Sequence, residues 1–224
     1  MFFVVRNLEA AMSQRTQDLS HPFEMTAQLI ISAFSAPSAV NKNNMPDNIQ
    51  LTHNEHVNPG ISYPLSLLVD NMKDPLNVGS LFRLSDALGI SHIHLCGDTP
   101  APPNPKINKT ARSTEKYVAF ETHDDAITEI KRQKDQGVCI IALELTSSSL
   151  DITSDHTRDF ILKNSEQLFC LLLGSENTGI SEGLLELADL TVHIRMCGSN
   201  SSMNVVSAAS IACFEICHYL SPSR

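Results

Sequence analysis

LFCLLLG, residues 168–174, is the most apolar run of the chain, and it decides the class of the fold. Apart from the closing glycine, every position in it is hydrophobic, with no alternation between apolar and polar residues. Strands of this kind are covered on both faces, as the strands of parallel sheets are. We therefore predict a buried strand of a parallel sheet that ends at Gly174.

Shorter apolar runs recur on both sides of this segment, and helical patterns separate them. Strands are predicted at 65–69, 92–96, 117–120, 138–145 and 190–194. Helices are predicted at 78–88, 124–136, 181–188 and 204–220. Because strands that alternate with helices build parallel sheets with helices on both faces, the sequence predicts an α/β fold from Tyr63 onward.

Residues 1–62 differ from the rest in composition. They are rich in Asn, Ser, Gln and His, and residues 22–34 show a helical pattern before a polar, linker-like stretch. We expect an N-terminal extension over 1–62 and one α/β domain over 63–224. No run has the length of a membrane span and the opening MFFVV is too short for a secretory signal, so we expect a cytoplasmic protein.

The charge distribution limits the function classes further. A net charge of −9 argues against a protein that coats nucleic acid. Segment 102–116 nevertheless contains Lys106, Lys109, Arg112 and Lys116 against a single acid, and we expect a basic loop there. Its cations either bind RNA phosphates or are simply solvated. The six cysteines lack paired spacing, which favours buried, reduced thiols over disulfides.

Three polar turns follow predicted strands, at the end of the sheet where parallel α/β folds bind ligands. They are DNMKDPLNVG at 70–79, GSENTG at 174–179 and RMCGSNSSMN at 195–204. The chain has no G-x-G-x-x-G. Gly174 and Gly179 have P-loop spacing, but Ile180 and Ser181 stand where Lys and Ser or Thr are required. A dinucleotide-dependent dehydrogenase or a P-loop NTPase is therefore disfavoured.

In this order the turns resemble the three motifs of the SpoU–TrmH family of RNA ribose 2′-O-methyltransferases, part of the SPOUT superfamily. The matching segments are N-x-G-x-x-x-R from Asn77 to Arg83, LLLGSENTGIS at 171–181 and IRMCGSNSSMNVVSAA at 194–209. The resemblance covers about residues 63–221. The chain departs from the family pattern at Arg195, where Pro is usual, and at Met203, where Leu is usual.

The resemblance implies a Rossmann-like parallel-sheet SPOUT fold with a deep trefoil knot at its C-terminal end. It implies S-adenosylmethionine (AdoMet) as methyl donor, no metal, and an RNA substrate, with tRNA slightly favoured over rRNA because the chain is short. The implied catalytic residues are Asn77, Arg83, Glu176, Ser202 and Asn204. The implied cofactor-binding residues are Leu173, Gly174, Gly179, Ile194, Met196, Gly198 and Met203, and the glycines would let the main chain approach the adenosine.

A homodimer is also implied, with the last helix in the interface. That helix is apolar over much of its circumference, more than one core face needs. The apolar positions are Val205, Ile211, Phe214, Ile216 and Tyr219.

Several of these residues have simpler structural explanations. Arg83 is compatible with a surface arginine, and Asn77, Ser202 and Asn204 with helix caps. His92 and His94 share a strand face, but no motif supplies a third ligand, so we expect a structural pair rather than a metal site.

The alternative to an enzyme is a non-catalytic RNA-binding or assembly protein with the same fold. The intact set of Asn77, Arg83, Glu176 and Asn204 favours the enzyme. Methylation at a base nitrogen fits less well, because the motifs are those of the ribose-modifying branch.

Overall fold

A computed structural model describes residues 49–50, 52, 55 and 57–221 of the chain. The strands are β1 (Tyr63–Asp70), β2 (Ile90–Cys96), β3 (Ala119–His123), β4 (Cys139–Leu143), β5 (Leu150–Asp151), β6 (Phe169–Leu173) and β7 (Leu190–His193). The helices are α1 (Pro75–Leu88), α2 (Pro105–Ala111), α3 (Ala126–Asp135), α4 (Asp155–Lys163), α5 (Glu182–Leu185) and α6 (Val205–Leu220). The helix predicted at 22–34 lies outside the described residues.

The strands form one seven-stranded sheet in the order β3-β2-β1-β6-β4-β7-β5. All its strand pairings are parallel, which confirms the predicted α/β class. The most apolar strand, β6, lies between β1 and β4, where neighbouring strands and helices cover it completely. The trefoil knot is not tested by this strand order and stays a prediction.

The side chains of β6 show why a continuous apolar run forms here. Phe169, Leu171 and Leu173 belong to the larger core cluster, on the face covered by α1, α4 and α6. Cys170 and Leu172 point to the opposite face, under α3 and α5. All five residues are buried, because each face of the strand meets a helix layer.

Helix α1 begins earlier than the sequence pattern predicts. Asp74 is its N-cap and accepts a hydrogen bond from the Leu76 N–H (2.9 Å), while Pro75 takes the first helical position. The helix ends at Gly89, whose φ of 67° suits glycine. Asn77 therefore lies inside the helix and does not cap it, and its side chain is available for other contacts.

The predicted basic loop at 102–116 is wrong in one respect, because it contains helix α2. Asn104 caps the helix by accepting from the Lys106 N–H (2.9 Å), and Pro105 occupies the first helical position, where it needs no donor. The sequence pattern at 102–116 was interpreted as a loop throughout. No element was predicted between 145 and 168, where β5 and α4 lie.

The thiols are free, as predicted, and all but Cys197 are buried. No helix among the described residues is long and apolar enough to cross a bilayer.

Candidate functional site

Glu176 joins the first two polar turns at the carboxyl edge of the sheet. Its Oε2 accepts from the Lys73 N–H (2.9 Å), and its Oε1 accepts from the Asp74 N–H (3.2 Å) and from Asn77 Nδ2 (2.9 Å). Burial alone would raise the pKa of Glu176, but the hydrogen bonds outweigh it and hold the pKa below its usual value. The side chain is therefore a carboxylate at neutral pH.

Two amides tie the third turn to the first. Asn204 is the N-cap of α6, and its Oδ1 accepts from the N–H groups of Val206 (2.9 Å) and Ser207 (3.3 Å). Its Nδ2 is left to donate to Asn77 Oδ1 (3.2 Å). Asn77 must then turn its own Nδ2 toward Glu176. The cap of α6 thus fixes the orientation of both amides.

A cleft of about 420 Å³ lies beside this network, a size usual for a small-molecule site. Nine of the residues expected in the site line it: Leu173, Gly174, Glu176, Gly179, Ile194, Met196, Ser202, Met203 and Asn204. Gly198 is not among the lining residues. The cleft thus brings together residues from two distant stretches of sequence, and their roles in binding or catalysis stay a prediction.

Arg83 stands apart from the cleft. It is exposed on α1 and makes no hydrogen bond or ion pair with any described residue. The side chain of Asn77 is bonded to Glu176 and Asn204 and so does not orient Arg83. The guanidinium is free to contact a molecule that approaches from solvent.

The glycines of the second turn are required by the turn itself. A Cβ at Gly174 would clash with the backbone of Gly179 and Ile180, because the turn folds back on itself through paired backbone hydrogen bonds between Ser175 and Gly179. Gly179 has a φ of 65°, and a Cβ there would clash with Glu144. A Cβ at Gly198 would meet nothing within 4 Å. Only the first two glycines are therefore dictated by packing.

Glu144 is a cleft residue that the sequence analysis missed. It directly follows β4, and its carboxylate accepts from the Ile180 N–H (3.0 Å, Oε2) and from the Leu145 N–H (3.0 Å, Oε1). It lines the cleft beside Gly179. The sequence did carry a signal for Glu144: it is an acid directly after an apolar strand, at the end of the sheet where ligands bind.

Arg195, where the family usually has Pro, anchors the third turn to the end of β5. Its Nη2 lies 2.9 Å from Asp151 Oδ2. The pKa of Asp151 is lowered chiefly by hydrogen bonds from the backbone and side chain of Thr153, and further by Arg195. The Arg195 side chain is mostly exposed, so this ion pair adds only a weak restraint to the loop.

The cations of α2 and its C-terminal end form a separate basic surface. Lys106, Lys109, Arg112 and Lys116 are all exposed, and none forms an ion pair with a described acid. Helix α2 packs directly on α1, because Gly79 lets the two backbones approach. The basic surface therefore adjoins the helix that carries Arg83.

Comparisons with known proteins agree on one family. The model of the SpoU rRNA Methylase family matches residues 64–214. The chain is 30% identical over 151 residues to tRNA (guanosine(18)-2′-O)-methyltransferase of Thermus thermophilus, over 67% of this chain and 73% of that protein.

Two further relatives extend the comparison. The 23S rRNA (guanosine-2′-O-)-methyltransferase RlmB of Vibrio parahaemolyticus is 27% identical over 152 residues, 68% of this chain and 58% of its own length. An AdoMet-bound rRNA methyltransferase from Sinorhizobium meliloti superposes with a TM-score of 0.62 at 25% identity, over 71% of this chain and 59% of that one.

Proposed function

Because this chain belongs to the SpoU rRNA methylase family, we propose that it methylates the 2′-hydroxyl of a ribose in structured RNA, using AdoMet. The observation that carries the proposal is the hydrogen-bonded chain Asn204–Asn77–Glu176, which brings the three motifs together beside the cleft. The relatives act on tRNA or rRNA by their names, and we favour tRNA, in the cytoplasm, because the first relative named above is a tRNA methyltransferase.

The cleft suits AdoMet in size and in charge. Leu143, Leu145 and Ile194 provide apolar lining for an adenosine ring. Glu144 and Glu176 supply two carboxylates, which complement a cationic ligand. When bound, AdoMet supplies an electrophilic methyl group on a positively charged sulfur.

The residues of the chain divide into two groups. Leu173, Gly174, Gly179, Ile194, Met196 and Met203 would hold the donor, with Gly198 in the same loop. Glu176, Asn77 and Asn204 hold the turns in register, and Ser202 lines the cleft where it can donate to the reacting ribose. Because Glu176, Asn77 and Asn204 are already fixed by hydrogen bonds, these three groups need little reorganisation on binding.

Arg83 acts on the RNA side. A guanidinium stays protonated in proteins and presents several donors, so it suits a phosphate better than it suits the role of a base. Arg83 grips a phosphate next to the target ribose and stabilises the negative charge that develops on the 2′-oxygen. The hydroxyl proton passes to that phosphate or to water.

A variant of Arg83 tests the proposal. With radiolabelled AdoMet and transcribed tRNA or rRNA fragments, the wild-type protein should transfer label to a ribose 2′-oxygen. Arg83→Ala should reduce the rate at least about 100-fold, the cost of losing one donor to a developing oxyanion, and leave AdoMet affinity within a few-fold. Arg158→Ala, an equal charge change on α4, should keep full activity.

Two results would contradict this assignment. If AdoMet binding collapsed in a folded Arg83→Ala protein, Arg83 would belong to the donor side. If calorimetry showed no binding of AdoMet or S-adenosylhomocysteine to the wild-type protein, the chain would be a non-catalytic RNA-binding member of its family.

A further inference from the structure

A cluster of histidines and acids lies at one edge of the sheet, away from the cleft. His92 and His94 project from β2, and Glu121 and His123 project from the same face of edge strand β3, where His94 is aligned with Glu121. Glu129, on helix α3, lies beside His94 and His123. None of these residues lines the cleft, and the proposed methyl transfer uses none of them.

The ligand atoms of the cluster have the separations of a metal site. His94 Nδ1 lies 3.1 Å from His123 Nε2, and His123 Nε2 lies 3.7 Å from Glu121 Oε2. His92, His94 and Glu121 each offer one ligand atom, and these three atoms lie within 4.8 Å of one another. A tetrahedral Zn²⁺ with bonds near 2.1 Å places its ligand atoms about 3.4 Å apart. His123 lies beside two members of this set, His94 and Glu121, and so stands where a rotated ring can supply the fourth ligand.

A second layer of contacts orients His123. Glu129 Oε2 lies 3.4 Å from His123 Nδ1, so the Nδ1–H faces a carboxylate and the Nε2 lone pair faces His94. Arg132 holds Glu129 through two hydrogen bonds (2.8 and 2.6 Å), and Gln133 donates a third (2.8 Å). A carboxylate behind a ligating histidine is the usual second layer of a zinc site.

Hydrogen bonding alone does not satisfy the cluster. His94 can donate to His123, and His123 to Glu129, but the buried Nε2 of His92 has no partner among residues 57–221. Buried polar atoms rarely go without a partner.

We propose that His92, His94, Glu121 and His123 bind one Zn²⁺ ion. His92 and His94 were expected to be a structural pair because no motif supplied a third ligand, and β3 supplies two candidate ligands, Glu121 and His123. The ion joins β3, which pairs with β2 at the edge of the sheet, to the rest of the sheet. Its role is structural, because the site is separate from the cleft.

Calorimetric titration of the chelator-treated full chain with Zn²⁺ tests the proposal. Wild-type protein should bind one ion per chain and gain thermal stability, whereas Mg²⁺ should do neither, because it prefers oxygen ligands. Glu121→Gln, at an exposed side chain that the fold does not need, should weaken binding at least about tenfold. His123→Gln should abolish it, and His156→Ala, an exposed histidine on α4, should change nothing.

Three outcomes would overturn the site. They are the absence of saturable Zn²⁺ binding to folded wild-type protein, unchanged affinity in folded Glu121→Gln and His123→Gln, or a thiolate charge-transfer band after substitution with Co²⁺. The last would place the ion on cysteines instead. None of these measurements depends on methyl transfer, so they are independent of the proposed enzymatic function.

Discussion

Glu144 and Glu176 show how single carboxylates organise the cleft. Each accepts hydrogen bonds from backbone N–H groups that belong to other segments: Glu176 from the first turn, Glu144 from Ile180 in the second. Hydrogen bonds to a charged acceptor are about twice as strong as neutral ones. Both turns therefore depend on acids that come from elsewhere in the chain.

The substitution Glu144→Gln should weaken AdoMet binding about tenfold. The amide keeps one acceptor oxygen but presents an NH₂ group to a backbone N–H, so one charge-assisted hydrogen bond, worth about 1.5–3 kcal/mol, is lost. Calorimetry with AdoMet measures the change, and Glu186→Gln on the exposed surface after α5 is the matched control. Unchanged AdoMet affinity in Glu144→Gln would mean that the second turn holds its shape without this carboxylate.

Among the elements, α1 and α2 are packed unusually closely. A Cβ at Gly79 would clash with Thr110 Oγ1 and the Ile107 carbonyl of α2. Thr110 Oγ1 also donates to the Leu76 carbonyl across the contact (2.9 Å). The glycine of the N-x-G motif thus serves helix packing, which sets the position of the basic surface relative to Arg83.

Gly79→Ala should destabilise the protein by about 1–3 kcal/mol, the usual cost of overpacking a rigid contact. Chemical denaturation measures the change. Gly183→Ala in α5 is the control, because its Cβ would meet only Ile127 Cδ1 at 3.7 Å; it should be neutral or stabilising. Equal stability of the two variants would show that α2 shifts without cost.

Helix α2 is also the element that we expect to capture RNA. Replacing Lys106, Lys109 and Arg112 by Gln in one triple variant should weaken RNA binding. If all three contact phosphate, the slope of log affinity against log salt should become less steep by up to about two to three units. AdoMet affinity should hardly change. Filter binding at several salt concentrations measures the slope, with Lys131→Gln/Lys163→Gln as the control. The same slope in wild type and the triple variant would place RNA capture on another part of the chain.

At the scale of the whole molecule, α6 leaves part of its apolar surface uncovered. Ile211 is 43% exposed and Phe214 is 62% exposed, whereas Ile216, also expected in the interface, is buried in the chain's own core. The two exposed side chains lie three residues apart and so face the same way. We expect this narrower face of α6 to pack against a second copy.

If the protein is the expected dimer, Phe214→Glu should convert it to a monomer, because the substitution places a charge in an apolar contact. Light scattering at micromolar concentration measures the mass, and Ile127→Glu, at a partly exposed isoleucine on α3, should leave it unchanged. A wild-type protein of monomer mass would disprove the dimer directly.

The sequence by itself determined the α/β class, because runs such as 168–174 are stable only when both faces of a strand are covered. It also determined the family, through three motifs that keep their order. Helix α2 was not predicted, because a proline at the first helical position is easily read as a helix breaker.

Only the tertiary structure decided which residues share a site. The cap of α6 orients Asn77 from 127 residues away, Glu144 reaches the turn of Gly179, and β3 brings Glu121 and His123 to the histidines of β2. Each of these contacts joins neighbouring strands of the sheet or segments that are far apart in sequence. Periodicity records only which face a residue occupies along its own element, so such contacts become visible only when strand order and register are known.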